Sequence, residues 1–404
     1  MWLKIPFRNL TRNPRRTVLS LAIIGLGAAL SFAVLGFVGS SIDIIQNGLL
    51  RRYGNIQIAR KEVWTKSRSE LNSPLDPKLV SEIERVLKTY PEVKKYGPQL
   101  SFTGLLVSGV SSNPVTVIGV VPDNEIKNYG NSLVRGSGLE EKKSDSALVG
   151  QTLADKLSLS PGSRIRLIVN KENGGQSTDA SKVKGVYTAQ SEEVEARQVY
   201  ISIGSARSLV GADITGKILV ELEDRDATDR IARELDRKFS QISLPVEVRT
   251  WKELSSFYKT LRSFFGLIFG FLIVVVSALV FFIVLQVLTM SFLERSREVG
   301  TIRALGTRRL EVFRTFLVES FLLGSAGALL GILAGVAIAV GFNALGINWT
   351  PPGSVEQVVL TVNMGWANIW PPVLISLVAT VLSAFYPAYR MAKTDIVEAL
   401  RVEE

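Results

Sequence analysis

Residues 291–316 read SFLERSREVGTIRALGTRRLEVFRTF, a charged, helix-forming segment wedged between two long apolar runs. A bilayer core about 30 Å thick takes roughly 20 apolar helical residues to cross, because backbone polar groups must be satisfied within the spanning segment. Four stretches meet that requirement without a single charge: residues 17–42, 263–293, 320–355 and 357–389. They predict spanning helices over 17–42, 263–292, 315–342 and 369–389, which makes 293–314 a hydrophilic connection on one face of the membrane.

Charge sets the orientation. Ahead of the first span stand Lys4, Arg8, Arg12, Arg15 and Arg16 with no acid, and residues 293–314 carry six Arg against three Glu. The connection 343–368 has no Lys or Arg. The positive-inside rule therefore puts both termini and 293–314 in the cytoplasm, and 43–262 and 343–368 outside. Residues 1–16 alternate Trp2, Leu3, Phe7 and Leu10 with Lys4, Arg8 and Arg12, the pattern of an interfacial helix on the inner leaflet. The run at 17–42 is too long for a cleaved leader and reads as an anchor. Residues 390–404 form a cytoplasmic tail. The net charge of +10 thus serves topology, and no basic stripe interleaved with stacking aromatics suggests nucleic acid. Membrane lipids are the expected surroundings.

The fold class is then an α-helical integral membrane protein with four spanning helices and a large α+β extracytoplasmic domain between the first two. In that domain Asp76 and Pro77 read as N-cap and first residue of a helix running to Tyr90. Strands are expected in residues 105–110, 115–121, 164–170, 197–203 and 217–223, and helices over 147–157, 206–210 and 226–239. Residues 170–181, rich in Gly, Asn and Ser, read as a loop, a candidate contact for cargo or a partner. Residues 43–52 and 251–262 could form a helical stalk.

Composition removes several chemistries. The chain has no Cys and no His, so thiol nucleophiles, imidazole bases, disulfides and His–metal sites are absent. Gly211 to Lys217 matches G-x-x-x-x-G-K, but Ile218 stands where a Mg²⁺-holding hydroxyl is needed and the next residues alternate like a strand. No catalytic residue, cofactor site or metal site is assigned, and any ATP-driven work must use a separate subunit that brings the ATP and Mg²⁺. Within the spans, Gly327, Gly331 and Gly335 lie on one helical face, and Gly266 with Gly270 makes a similar step in the second. Glycines so spaced let membrane helices approach closely. Glu319, near the inner end of the third span, is expected to snorkel to the interface.

The layout, the segment ERSREVGTIRALG (294–306), the tail YPAYRMAKTDIVEALR (386–401) and, outside, VIGVVPDNE, ALVGQTLADKLSLSPGSRIRL and QVYISIGSARSLV together resemble ABC-transporter permeases of the FtsX-like, macrolide-exporter (MacB-type) and lipoprotein-releasing (LolC/LolE-type) group. Ile396 departs from the proline often found in such tails. The resemblance implies a non-enzymatic subunit of the bacterial inner membrane that works as a dimer with the same or a homologous permease. It also implies two cytoplasmic ATPase subunits, mechanical transmission to the outer domain, and no passage of substrate through a central pore. It assigns ATPase coupling to Glu294, Arg295, Arg297, Glu298, Gly300, Arg303, Ala304, Leu305 and Gly306. The residues agree with it: 293–305 can form a helix stopped by Gly306, with Thr307 placed to cap the next. The reading is extraction of lipoproteins or another amphipathic cargo from the outer leaflet of the inner membrane, with drug efflux through an adaptor and signalling to a cell-wall hydrolase as the alternatives. The extracytoplasmic partner would accordingly be a carrier, an adaptor or a hydrolase.

Overall fold

The computed structural model describes residues 14–65, 70–122, 132–139, 145–170, 175–189, 192–350 and 357–394. The interfacial helix, up to residue 13, lies outside them, as do 171–174 of the 170–181 loop, the end of VIGVVPDNE and Ile396. In chain order the elements are α1 (Pro14–Tyr53), β1 (Ile56–Arg60), α2 (Lys61–Thr65), α3 (Pro77–Leu87), β2 (Val93–Ser108), β3 (Ser111–Val120), β4 (Ser132–Gly136) and β5 (Ser146–Gly150). There follow α4 (Gln151–Lys156), β6 (Arg164–Asn170), β7 (Gln176–Thr188), α5 (Glu192–Arg197), β8 (Gln198–Ser202), α6 (Ile203–Val210), β9 (Lys217–Leu222), α7 (Thr228–Gln241) and β10 (Val246–Thr250). The chain ends with α8 (Trp251–Leu254), α9 (Ser256–Glu294), α10 (Ser296–Ala304), α11 (Arg309–Ala344), the short strands β11 (Asn348–Trp349) and β12 (Val358–Val359), and α12 (Trp366–Lys393).

Two compact units form. One is Ile44–Thr260 with Trp349–Val358, and it carries a ten-stranded sheet ordered β10-β1-β9-β2-β3-β8-β5-β7-β4, with β6 pairing β2 and β7. Strand β2 divides the sheet: residues 93–99 pair with β9 and residues 100–108 with β3. Each half has its own core. Ile56, Ile58, Ile218 and Val220 pack with Ile83 and Leu87 of α3 and with Ile231, Leu235 and Phe239 of α7. Phe102, Val117, Val149, Ile165, Val199 and Ile201 pack with Leu153 of α4 and Leu209 of α6. The α+β expectation for this domain therefore holds. Asp76 caps α3 as expected, its Oδ1 accepting from the Leu79 amide at 2.8 Å, although the helix ends at Leu87 and not at Tyr90.

Several local expectations are corrected. Residues 146–150 are a strand, buried throughout between β7 and β8, and the helix begins only at Gln151. A short apolar run buried on both faces gives no alternation to distinguish it from a helix. The strand expected at 105–110 is the end of the much longer β2, which turns at Gly109, φ 57°. Residues 176–181 are not loop: they belong to β7 and pair with β6 from Asn170↔Gln176 to Ile165↔Ser181. Their polarity reflects solvent on the exposed face of a hairpin, which composition alone reads as a loop. Gly211, φ 78°, closes α6 and Lys217 starts β9, so the G-x-x-x-x-G-K match is a helix stop and a strand.

The short α5 is pinned by a buried carboxylate. Glu195 accepts from the Thr188 hydroxyl at 2.7 Å and the Ala189 amide at 2.6 Å through Oε1, and from the Thr152 hydroxyl at 2.9 Å and amide at 3.3 Å through Oε2. Six residues cannot sustain a helix on propensity, so tertiary contacts must hold it.

Among the described residues four helices are long and apolar enough to cross a membrane, with candidate spans Thr17–Leu50, Tyr258–Glu294, Arg309–Ala344 and Trp366–Lys393. Helix α1 continues past residue 42 to Tyr53 without a break, whereas residues 251–262 are interrupted at Ser255, whose extended backbone (φ −93°, ψ 94°) separates α8 from α9. The helices pack unequally: 11% of the apolar window of α9 is buried, against 44% for α1.

Candidate functional site

Helix α9 ends at Glu294, Arg295 leaves helical geometry (φ −98°, ψ 12°), and α10 begins at Ser296. Helix α10 stops at Gly306, φ 101°, where the Gly306 amide donates to the Arg303 carbonyl at 3.0 Å and the Thr307 amide to the Ile302 carbonyl at 3.3 Å. This paired arrangement closes a helix through a left-handed residue, a conformation that glycine adopts without strain. Thr307 does not cap the next helix. The N-cap of α11 is Arg308, in extended geometry, and its amide donates to the Glu311 carboxylate at 3.3 Å. The side chain three residues into the helix supplies the cap that the threonine was expected to give.

The charged residues assigned to ATPase coupling do not all face outward. Arg295 turns into its own chain: Nη1 donates to both carboxylate oxygens of Glu319, at 2.9 and 3.1 Å, and Nε lies 3.6 Å from Glu298. Its guanidinium carbon sits 5.9 Å from the Phe316 ring centroid, and that ring packs on Phe292 with centroids 4.0 Å apart. Glu319 is 6% exposed, so it does not snorkel; a cation from the neighbouring helix reaches it inside the bundle. Arg303 also turns inward and donates to the carbonyl of Thr394 at the end of α12. Val299 and Gly300 are buried, with Val299 packed among Phe292, Val312, Phe316 and Met391.

The exposed residues here are Leu293, Glu294, Arg297, Thr301, Ile302, Ala304, Leu305 and Gly306, continued by Arg308, Arg309 and Leu310. Leu305 is 83% exposed. The exposed apolar side chains Ile302, Leu305 and Leu310 thus alternate with Arg297, Arg308 and Arg309 along this segment. Leu305 is among the residues the resemblance assigned to coupling, whereas Ile302 and Leu310 are not. Their occurrence in a segment otherwise rich in arginine was the available signal.

The glycine triplet packs as its spacing implies, and its partner is α1. A Cβ on Gly327 would come within 2.8 Å of Ile24, one on Gly331 would meet the Gly25 carbonyl and Ala28, and one on Gly335 would lie 2.8 Å from Phe32. Gly266 and Gly270 behave otherwise: nothing lies within 4 Å of the position a Cβ would take, so within this chain they make no close helix approach. They lie on the exposed stretch of α9.

Sequence reasoning missed a polar clasp at the opposite end of the bundle. The extended segment 360–365 crosses α1 where Gly36 leaves room, and the Asn363 amide donates to the Gly36 carbonyl at 3.0 Å. Asn343 at the end of α11 bonds both polar groups of Val362, at 2.8 and 3.1 Å, and Asn363 reaches Asp43 at 3.3 Å. Isolated asparagines in a segment between two spans carry no periodicity, so nothing marked them.

Among the described residues no group of three or more His, Cys, Asp or Glu side chains could hold a metal ion. The profile of the MacB-like periplasmic core domain matches residues 17–238, and that of the FtsX-like permease C-terminal domain matches residues 268–396. The lipoprotein-releasing system transmembrane protein LolE of Haemophilus influenzae is 21% identical over 79% of this chain and 80% of its own length. The macrolide export ATP-binding/permease protein MacB of Chlorobium luteolum is 31% identical over 30% of this chain and 16% of its own. The periplasmic region of MacB from Actinobacillus actinomycetemcomitans, at 14% identity, covers 51% of this chain and 93% of its own with a TM-score of 0.38.

Proposed function

The chain belongs to the ABC-transporter permeases that carry a MacB-like periplasmic core domain and an FtsX-like permease C-terminal domain, and we propose that it receives the work of separate cytoplasmic ATPase subunits on α10 and passes it to its outer domain. The observation that carries the reading is the construction of α10. It is fixed to its own chain through Arg295, Arg303 and Val299 and stopped by the Gly306 turn, while Ile302 and Leu305 point away from the protein. A rigid element with an apolar tip transmits force where a mobile loop would absorb it. In this reading two ATPase subunits serve a pair of permeases, both termini and α10 lie in the cytoplasm, and the sheet domain lies outside the inner membrane.

For the cargo, we infer lipoproteins or another amphipathic molecule drawn from the outer leaflet. Support comes from the extent of the match, which spans about four fifths of LolE, a protein named for lipoprotein release. Macrolide-type efflux is the second reading, supported by the match of residues 17–238 to the MacB-like core; signalling to a cell-wall hydrolase is the third.

The test of docking is Leu305→Asp in the full chain. Charge on the exposed tip is expected to weaken association with the cognate ATPase by about tenfold, since a buried interfacial charge without a partner costs more than 1.4 kcal/mol. Unchanged association would remove α10 from the interface. The cargo is read from what binds the outer domain: a lipoprotein carrier, an adaptor of an efflux channel, or a hydrolase.

A further inference from the structure

We propose that the buried Arg295–Glu319 pair is the joint through which a push on α10 enters α11, so that the α11–α1 pair carries movement outward and α9 does not; this rests on the docking reading of α10. Arg295 is the one residue that interrupts the helical run from α9 into α10, and the same residue is anchored. Its Nη1 holds both oxygens of Glu319 on α11, its Nε approaches Glu298 on α10, and its plane lies over Phe316, which packs on Phe292 of α9. Helices α10 and α11 therefore meet at one guanidinium, and α9 is reached only through the Phe316 ring.

A buried ion pair is often no more stabilising than apolar side chains of the same volume. What it adds is direction, because one donor shared by two fixed oxygens resists sliding that apolar packing would allow. The covalent route from α10 into α9 has no such keyed contact within the chain: it passes through the break at Arg295 into a helix with little of its apolar window buried inside this chain and with no neighbour in this chain at Gly266 and Gly270. Helix α11, by contrast, is keyed to α1. Gly327 lies against Ile24, Gly331 against Gly25 and Ala28, and Gly335 against Phe32, so α11 cannot shift without carrying α1. Helix α1 in turn runs unbroken to Tyr53. Energetic coupling needs a connection with discrete arrangements that both ends can bias, and a charge pair that is made or broken supplies one.

The experiment uses the full chain with its cognate ATPase in lipid nanodiscs, comparing Arg295→Glu, Glu319→Arg, the double reversal, and the apolar pair Arg295→Met with Glu319→Leu. Readouts are ATPase association, permease-dependent stimulation of ATP turnover, and the ATP-dependent change in distance between spin labels at Leu267→Cys on α9 and Leu345→Cys beyond α11. The chain has no native cysteine, so the labels are unambiguous. The single reversals and the apolar pair are expected to keep association, lose about fivefold or more of the stimulation, and lose the distance change, while the double reversal restores both. Full stimulation and an unchanged distance response in the apolar pair would show that the site is packing only and overturn the proposal, as would the absence of any distance change in the unmodified chain. If the single reversals do not assemble, the double reversal against the apolar pair decides alone, and equal activity of the two overturns it. Failure of the docking reading shows separately, as association that survives Leu305→Asp.

Discussion

The carbonyl oxygen of Gly25 occupies the space that a side chain on Gly331 would need, so α1 and α11 touch backbone to backbone at these two glycines. In lipid the hydrophobic effect gives helices no reason to associate, and packing at this distance has to supply it.

Gly331→Val is therefore expected to separate α1 from α11 at a cost of about 1–3 kcal/mol, the usual range for overpacking a close contact. Gly266→Val and Gly270→Val meet no neighbour in this chain. Introduced cysteine pairs between α1 and α11 should cross-link in the Gly270→Val background and fail in Gly331→Val; cross-linking that survives in both would mean the contact is not close.

Glu195 holds four donors from two stretches of chain, Thr152 and Thr188–Ala189, so Glu195→Ala leaves several of them unsatisfied in a buried site. A loss of about 2–3 kcal/mol of local stability follows. Hydrogen exchange of the Thr152 and Ala189 amides should accelerate by about 30-fold or more, and protection at wild-type levels would contradict the pinning role.

Gly306 has φ 101°, which a β-branched side chain adopts only under strain of about 1–3 kcal/mol. Gly306→Val should insert normally yet lower permease-stimulated ATP turnover, because the Ile302–Leu305 tip loses its fixed aim. Gly346→Val, at another left-handed glycine with no neighbour within 4 Å, is the control and should leave turnover unchanged.

Glu92 is held below the usual carboxylate range by its own backbone amide and by the Arg230 guanidinium, and Arg230 is raised chiefly by the same hydrogen bond. A depressed carboxylate contributes stability above its unfolded-state value, and that contribution is lost as pH falls through the folded-state value. Titration followed by NMR in the outer domain's Glu92 carboxylate should show a midpoint below that of an ordinary glutamate, and Arg230→Gln should bring it back up. An unshifted midpoint in the parent chain would rule the interaction out.

Orientation is tested by reporter fusions. Fusions at residues 150 and 355 should report the outer side and those at 305 and 400 the cytoplasm; a fusion at 305 active only outside would overturn the coupling scheme.

The long apolar helices, the α+β fold of the segment between the first two of them, and the Gly306 stop were legible in the sequence because each rests on a local rule. Length without charge marks a helix able to cross a bilayer, and a glycine after a helical run marks a left-handed residue. The same holds for Asp76 before Pro77, whose capping geometry involves only the next three residues. Residues 146–150 and 176–181 were misread for the converse reason. One is a strand buried on both faces and the other a polar strand of a hairpin, and each is identified only by its neighbours in the sheet.

By itself, the sequence determined how many membrane-length helices this protein has, where its hydrophilic segments fall, and which chemistries it lacks, since these depend on composition over a window. Tertiary structure alone decided that Arg295 and Arg303 turn inward, that Leu305 faces outward, and that Gly327, Gly331 and Gly335 meet α1 while Gly266 and Gly270 meet nothing. The arginines of one short segment are alike in sequence. Which of them is buried depends on whether a carboxylate 24 residues away or a carbonyl 91 residues away comes within reach, and that distance exists only once the helices have packed.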